Sequence, residues 1–210
     1  MRVFSNTAIS LDGRIGTFAR DHVQVGSEED RRRMSHLRAQ ADAVLVGGQT
    51  FRSWPRPLVE RPEHGQDRSR PLVNAVLTRS GLGPVDTRLW TGAELVVLAG
   101  EAAALDGMTG DMAEILRHPD PSPGWALDVL AARGCTTVLV EGGGDLIFQL
   151  LAADQLDELY VTICPRLIGG VGAPSLADGV GFGAAEIRDL QLLDMERSGD
   201  ELFLHYSARR

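Results

Sequence analysis

Short, β-branched apolar runs recur along the chain at strand length. Between them, apolar residues return every three or four positions, as on one face of a helix. The runs are residues 3–10, 43–46, 73–77, 94–99, 136–140 and 159–164. Helical spacing appears in Met34, Leu37 and Ala41, behind Ser27-Glu28-Glu29-Asp30. There the serine is the N-cap and the acids face the positive end of the dipole. Most arginines of this helix are expected in solvent, with Arg38 at the edge of the apolar face. A second helix, residues 125–133, opens at Pro123 and stops at Gly134. A third shows in Leu146, Ile147, Leu150 and Leu151. Two last strands, residues 187–195 and 201–206, are predicted to form a hairpin turning at Gly199. The pattern predicts an α/β fold: a mainly parallel central sheet, helices on both faces, and a C-terminal antiparallel hairpin. No repeat or linker divides the chain, so one domain is expected over residues 1–210.

Two strands run into helices through glycine. Residues 136–140 lead into Glu141-Gly142-Gly143-Gly144, and residues 43–46 into Gly47-Gly48-Gln49-Thr50. A turn without side chains exposes backbone N–H groups at a helix start, where a phosphate or pyrophosphate can sit. The glycines also serve a tight turn alone, and they match neither the dinucleotide fingerprint nor a P-loop. Two such junctions in one sheet suggest a ligand of dinucleotide size. Thr78-Arg79-Ser80, at the end of residues 73–77, offers one guanidinium and two hydroxyls, a set suited to a phosphomonoester or to a plain turn. Residues 55–70 form a charged loop punctuated by prolines, and residues 107–124 read as an irregular segment with His118 in solvent.

Composition narrows the function classes. The net charge of −8 argues against a general nucleic-acid binder. All 21 basic residues are arginine, which removes Schiff-base and P-loop lysines from consideration. Cys135 and Cys164 lack metal-ligand spacing and read as inert buried thiols, and no metal site is expected. The N-terminus shows no signal-peptide pattern and no apolar run reaches the length of a membrane span, so a cytoplasmic protein is expected.

Four stretches then carry a resemblance: Asn6-Thr7-Ala8-Ile9-Ser10-Leu11-Asp12-Gly13-Arg14; Leu37-Arg38-Ala39 through Gly47, with Thr50; Val140-Glu141-Gly142-Gly143-Gly144; and Leu156-Asp157-Glu158-Leu159 onward to Pro165-Arg166-Leu167-Ile168-Gly169-Gly170. In this order the chain resembles a stand-alone reductase domain of riboflavin biosynthesis, a pyrimidine reductase of the dihydrofolate-reductase-like fold. The resemblance implies NADPH as hydride donor, held by Thr50 and by Gly142, Gly143, Gly144, Asp145 and Leu146. Thr78, Arg79 and Ser80 would cover the 2′-phosphate. It places a phosphorylated ribosylamino-pyrimidine against Arg38, Leu58, Arg61 and Glu141, with the two arginines clamping the phosphate. The implied reaction is reduction of the ribosylamine to a ribitylamine by hydride transfer to C1′. Asp12 is the candidate catalytic group beside the opening ribose, as hydrogen-bonder or proton shuttle.

Two departures keep alternatives open. Trp54 stands where the bacterial family commonly has an Asp contacting the cofactor ribose. Asp30 lies near the place of the pterin-binding acid in dihydrofolate reductases. A reductase of a pterin or other heterocycle is one alternative, and a nucleotide-binding paralogue without catalysis is another. Members of the family are often homodimers, and residues 159–168 are the candidate interface.

Overall fold

The computed structural model describes residues 1–21, 23–64 and 70–208, so part of the 55–70 loop lies outside the described residues. Its first elements are β1 (Arg2–Ser10), α1 (Glu28–Ala39), β2 (Ala43–Gly47), α2 (Gly48–Ser53), β3 (Val73–Thr78), β4 (Glu94–Gly100) and β5 (Glu114–His118). Then come α3 (Pro123–Ala132), β6 (Thr137–Val140), α4 (Gly144–Ala152), β7 (Glu158–Cys164), β8 (Gln191–Ser198) and β9 (Glu201–Ser207). They fall into two compact units, Ser35–Leu139 with Met1, and Arg2–Met34 with Val140–Arg210.

In the first unit the strand order is β5-β4-β3-β2-β6, and the β2/β3, β3/β4 and β4/β5 pairs are parallel. Val44, Leu45, Ala75, Val96, Val97 and Leu98 are fully buried. Parallel strands covered on both faces need such continuous apolar runs, which is why the sequence announced them. Asp42 sets the start of β6, accepting from the Thr136 N–H and hydroxyl at 2.7 and 2.8 Å and from the Thr137 N–H at 2.9 Å. In α3, Ser122 accepts from the Trp125 N–H as an N-cap, with Pro123 in the first turn.

One strand escaped the pattern. β5 lies in the segment read as irregular, because Glu-Ile-Leu-Arg-His at a sheet edge is only half covered and has no apolar run. Arg117 anchors it by donating to the carbonyls of Gly100, Glu101 and Ala103. His118 therefore closes a strand, with its ring stacked 5.0 Å from Trp125.

In the second unit β1 pairs in parallel with β7, and β7-β9-β8 continue antiparallel. Asp157 accepts the Val3 N–H at 2.7 Å, fixing the start of β1 beside β7. The hairpin turns at Gly199 with φ +60°, a left-handed position that suits glycine. β8 begins at Gln191 rather than at 187 and carries a register shift between Leu192 and Asp194. Ser27 caps α1 as expected, accepting from the Glu29 and Asp30 N–H groups at 3.1 and 3.3 Å. Its hydroxyl also donates to Glu201 at 2.6 Å, and its N–H reaches the same carboxylate at 2.9 Å. The arginines of α1 are more engaged than solvated side chains would be: Arg33 lies over the Phe203 ring and pairs with Glu196, and Arg31 pairs with Glu28. Cys135 and Cys164 are buried free thiols, and burial pushes the Cys164 thiol up to about 12. No helix among the described residues is long and apolar enough to cross a membrane.

Candidate active site

In the first unit, α2 starts at the carboxyl end of β2 with Gly47 as N-cap and no side chain capping it. A Cβ on Gly48 would come within 2.7 Å of the Thr78 hydroxyl, so the glycine lets α2 lie against the end of β3. Thr78 is buried, and its hydroxyl donates to the Gly81 carbonyl at 2.9 Å and accepts the Gly81 N–H at 3.1 Å. Arg52 reaches the same carbonyl at 2.7 Å. Thr78 thus closes the turn, and Arg79 and Ser80 are the exposed members of the trio. Arg79 meets Asp120 at 3.5 Å with both side chains largely in solvent, a contact that contributes little. Thr50 is half-buried on α2. Trp54 ends α2, 39% exposed, with the Arg56 guanidinium 5.0 Å from its ring.

The loop after α2 carries Leu58 and Arg61. Arg38 is 9% exposed, more deeply buried than an edge position, and donates to the Val59 carbonyl at 2.9 Å. The Leu58 N–H donates to Asn74 Oδ1 at 2.7 Å and the Arg61 N–H to the Ser35 hydroxyl at 2.6 Å. The Arg61 side chain is 31% exposed, with Glu63 at 3.7 Å. Arg38, Leu58 and Arg61 are therefore gathered in one unit, although twenty or more residues separate Arg38 from the other two. Ser35 and Asn74 were not singled out from the sequence; the signal available was a polar residue inside the apolar run Val73-Asn74-Ala75-Val76.

In the second unit, Glu141 leaves β6 half-buried and the glycines follow. Gly142 has φ +90°, a conformation that side chains rarely adopt, and nothing stands within 4 Å of where its Cβ would be. The Gly142–Gly143 peptide is cis. Gly143 is the N-cap of α4 and no side chain caps the helix. Its carbonyl accepts from Leu146 and Ile147 at 3.0 and 3.2 Å, which leaves the Gly144 and Asp145 N–H groups as the open donors of the first turn among the described residues. A Cβ on Gly144 would lie 2.2 Å from the Ser175 carbonyl oxygen, so this turn is pressed between a backbone on one side and open space at Gly142 on the other. An uncapped helix start of this kind fits the pyrophosphate of a nicotinamide dinucleotide. The Leu146 side chain is buried and its N–H is engaged, so it supports the turn from within. Asp145 accepts from Gln149 at 2.7 Å.

Asp12 is on the same unit. Its carboxylate accepts from the Ser10 hydroxyl at 2.7 Å and from the Ile168 and Gly169 N–H groups at 3.1 and 2.7 Å. Those bonds, the serine's first, hold its pKa down at about 2 from 3.8. A carboxylate so held is ionised at neutral pH, a hydrogen-bond acceptor rather than a resting proton donor. Its geometry is that of a tie between the β1 exit and residues 165–170.

Asp30 presents the opposite case. Its carboxyl is 7% exposed, and Oδ1 has no hydrogen-bond partner among the described residues. Burial raises its pKa above 3.8; a hydrogen bond from Thr162 and the charge of Arg31 oppose the rise, and the charges of Glu201 and Glu141 add to it. Because the folded state binds this proton more tightly, the contribution to stability is largest at low pH and falls as pH climbs through the raised value. Asp30→Asn is therefore expected to gain melting temperature over the wild type, by a margin that widens as pH rises above the ordinary carboxylate range and levels off once Asp30 is ionised. A margin constant with pH would mean that Asp30 is already ionised across the range.

A family model described as the RibD C-terminal domain matches residues 1–204. The chain belongs to the RibD C-terminal domain family. Among curated relatives, it is 28% identical over 210 residues to an Archaeoglobus fulgidus 2,5-diamino-6-ribosylamino-4(3H)-pyrimidinone 5′-phosphate reductase, covering 94% of each chain. A Methanothermobacter thermautotrophicus protein of the same name is 29% identical over 227 residues, covering 99% of this chain and 98% of its own. Among solved structures, a pyrimidine reductase-like protein from Corynebacterium diphtheriae superposes with a TM-score of 0.80 at 20% identity, covering 100% of this chain and 92% of its own. That likeness shows the fold expected of this family, the dihydrofolate-reductase-like α/β arrangement.

Proposed function

We propose that this chain reduces a phosphorylated ribosylamino-pyrimidine to its ribitylamino form, taking hydride from NADPH. The observation that carries the reading is the family match over residues 1–204, with both near-full-length relatives named as reductases of one such substrate. That single match also supports treating residues 1–210 as one reductase domain. A reduced nicotinamide, when bound, supplies the hydride that reaches C1′ of the ring-opened sugar, and water supplies the proton for the amine nitrogen.

The chain's own residues bind and orient. The Gly144 and Asp145 N–H groups at the start of α4 hold the cofactor pyrophosphate, and Gly142 leaves room for it. Thr50 offers a hydroxyl to the cofactor from α2. Arg79 and Ser80 take the 2′-phosphate, with Thr78 shaping their turn, and this makes NADPH the preferred donor over NADH. Arg38 and Arg61 take the substrate phosphate, and Leu58 borders the same loop. Glu141 accepts hydrogen bonds from the pyrimidine's amino or ring N–H groups. Asp12 holds the 165–170 loop in place.

The test is oxidation of NADPH by the purified protein with 2,5-diamino-6-ribosylamino-4(3H)-pyrimidinone 5′-phosphate, with 5-amino-6-(5-phosphoribosylamino)uracil and with dihydrofolate in parallel. Turnover of either ribosylamine is the expected result. Arg79→Ala should erode the preference for NADPH over NADH roughly tenfold or more, the worth of one charge-assisted hydrogen bond. Oxidation with none of the substrates would overturn the reading.

A second reading rests on Asp30. A buried carboxyl beside Thr162, with one oxygen unpartnered, is a group that an aminopyrimidine edge of a pterin would satisfy. Turnover of dihydrofolate alone would favour it.

We place the protein in the cytoplasm and propose that it works as a homodimer, with the exposed part of residues 159–168 as one candidate surface. β7 runs between β1 and β9, and Leu159, Val161 and Cys164 are buried within the unit. Past the end of β7, Leu167 is 77% exposed, and the edge strand β8 adds Leu192, Leu193 and Met195 at 50, 48 and 56%, so both places offer apolar surface to a partner. Light scattering should give twice the 22.7 kDa chain mass.

A further inference from the structure

The loop that carries Arg61 contains Pro55, Pro57 and Pro62, which have no N–H to offer. The N–H groups on either side of Val59 and Glu60 are each taken by a buried polar side chain from elsewhere in the first unit: Leu58 by Asn74 of β3, Arg61 by Ser35 of α1. Ser35 is 2% exposed and Asn74 is 3% exposed. Neither residue suits its element. Serine in a helix interior tends to bond back to its own turn, and asparagine is depleted from strands. Burying an amide or a hydroxyl is unfavourable unless it is hydrogen-bonded, and apolar residues would serve α1 and β3 better at both positions.

Both side chains are nonetheless spent on the same four-residue stretch. Asn74 uses its oxygen on Leu58 and its nitrogen on the Leu72 carbonyl at 3.2 Å. The Ser35 hydroxyl takes the Arg61 N–H and meets His64 Nδ1 at 2.9 Å. The His64 N–H closes back on the Arg61 carbonyl at 2.9 Å, and the His64 ring lies edge-on to His36, with centroids 5.8 Å apart. Arg61 is thus gripped at its N–H and its carbonyl while its side chain stays partly open.

We infer that Ser35 and Asn74 are positioning residues for substrate phosphate: they fix the backbone of residues 58–61 so that Arg61 is presented to the phosphate in one place. The inference rests on the reading that Arg61 binds that phosphate. A loop fixed in advance loses less conformational entropy when the ligand arrives, so the gain appears in binding rather than in the hydride step.

The experiment compares the phosphorylated substrate with the same ribosylamine lacking the phosphate, in wild type, Arg61→Ala, Ser35→Ala, Ser35→Thr and Asn74→Leu. Ser35→Ala and Asn74→Leu should each raise KM for the phosphorylated substrate about tenfold, the scale of one lost hydrogen bond. Their kcat, their KM for NADPH and their KM for the dephosphorylated substrate should stay within twofold. Ser35→Thr, which keeps the hydroxyl, should restore the wild-type KM. If Arg61→Ala raises KM only for the phosphorylated substrate while Ser35→Ala and Asn74→Leu do not, the inference fails and the phosphate reading stands. Equal KM losses on both substrates in the Ser35 and Asn74 variants would also overturn it, since the loop would then act on the whole site. If Arg61→Ala treats the two substrates alike, the phosphate reading fails and the inference falls with it.

Discussion

Gly144→Ala is expected to cost the protein both stability and its hold on the nicotinamide cofactor. The new Cβ would lie 2.2 Å from the Ser175 carbonyl oxygen and 3.0 Å from the Asp178 N–H nitrogen. Both are backbone atoms, and the 175–178 turn is braced by its own bonds, with Asp178 accepting from the Ser175 hydroxyl and N–H at 2.6 and 3.1 Å. Neither side can give without moving the start of α4. Overpacking of this kind costs about 1–3 kcal/mol or more. For a chain of this size that lowers Tm by roughly 2–4 °C per kcal/mol. The displaced Gly144 and Asp145 N–H groups would also weaken NADPH binding, which a fluorescence titration reads directly. In Gly142→Ala the new Cβ meets no protein atom, so its stability cost is the left-handed backbone alone, about 1–2 kcal/mol, while the methyl enters the room left for the pyrophosphate and should weaken NADPH binding as well. A Gly144→Ala protein that melts with the wild type would mean that the turn is not packed as described.

Arg38→Ala should produce the largest loss on the substrate side. The guanidinium is nearly buried and its hydrogen bond to Val59 is charge-assisted, worth about 1.5–3 kcal/mol. Its removal leaves the Val59 carbonyl without that donor and takes one of the two proposed phosphate ligands. KM for the phosphorylated substrate should rise at least tenfold and Tm should fall, with the KM for NADPH unchanged. Arg38→Lys should recover part of the charge but not the planar fork, so it should sit between wild type and alanine. A wild-type KM in Arg38→Ala would remove this residue from the substrate site and leave it a structural tie of the 58–61 loop.

The Asp12 finding changes what its mutation should be read for. With three hydrogen bonds holding the carboxylate, Asp12→Ala should disturb residues 165–170 as well as any contact to the opening ribose, so its loss of turnover is to be read beside its Tm. The sequence offered Asp12 as a proton shuttle because Ser-Leu-Asp-Gly places an acid at a strand exit. It could not say that the same carboxylate also ties the β1 exit to the Ile168 and Gly169 N–H groups.

What the chain determined by itself was the order of its elements and the nature of its junctions. Short β-branched apolar runs such as Val44-Leu45-Val46, closed by glycine, fit strands covered on both faces, and the serine, proline and glycine signals marked where α1 and α3 begin or end. The triglycine after Glu141 marked a helix start with open N–H groups, and the four motif stretches identified the family. β5 was not legible, because an edge strand needs only partial burial. Within residues 159–168 the sequence could not separate covered from open positions: an apolar strand reads alike whether it faces a partner or its own unit, and only the packing buries Leu159, Val161 and Cys164 while leaving Leu167 exposed. The state of the polar side chains was tertiary throughout. Ser35 and Asn74 meet one loop, Thr78 is spent on Gly81, and Asp30 is buried with an oxygen unpartnered, all through contacts or burial that local propensity does not encode. Periodicity reports which face of an element is covered. The partner of a hydrogen bond is chosen only when the elements pack.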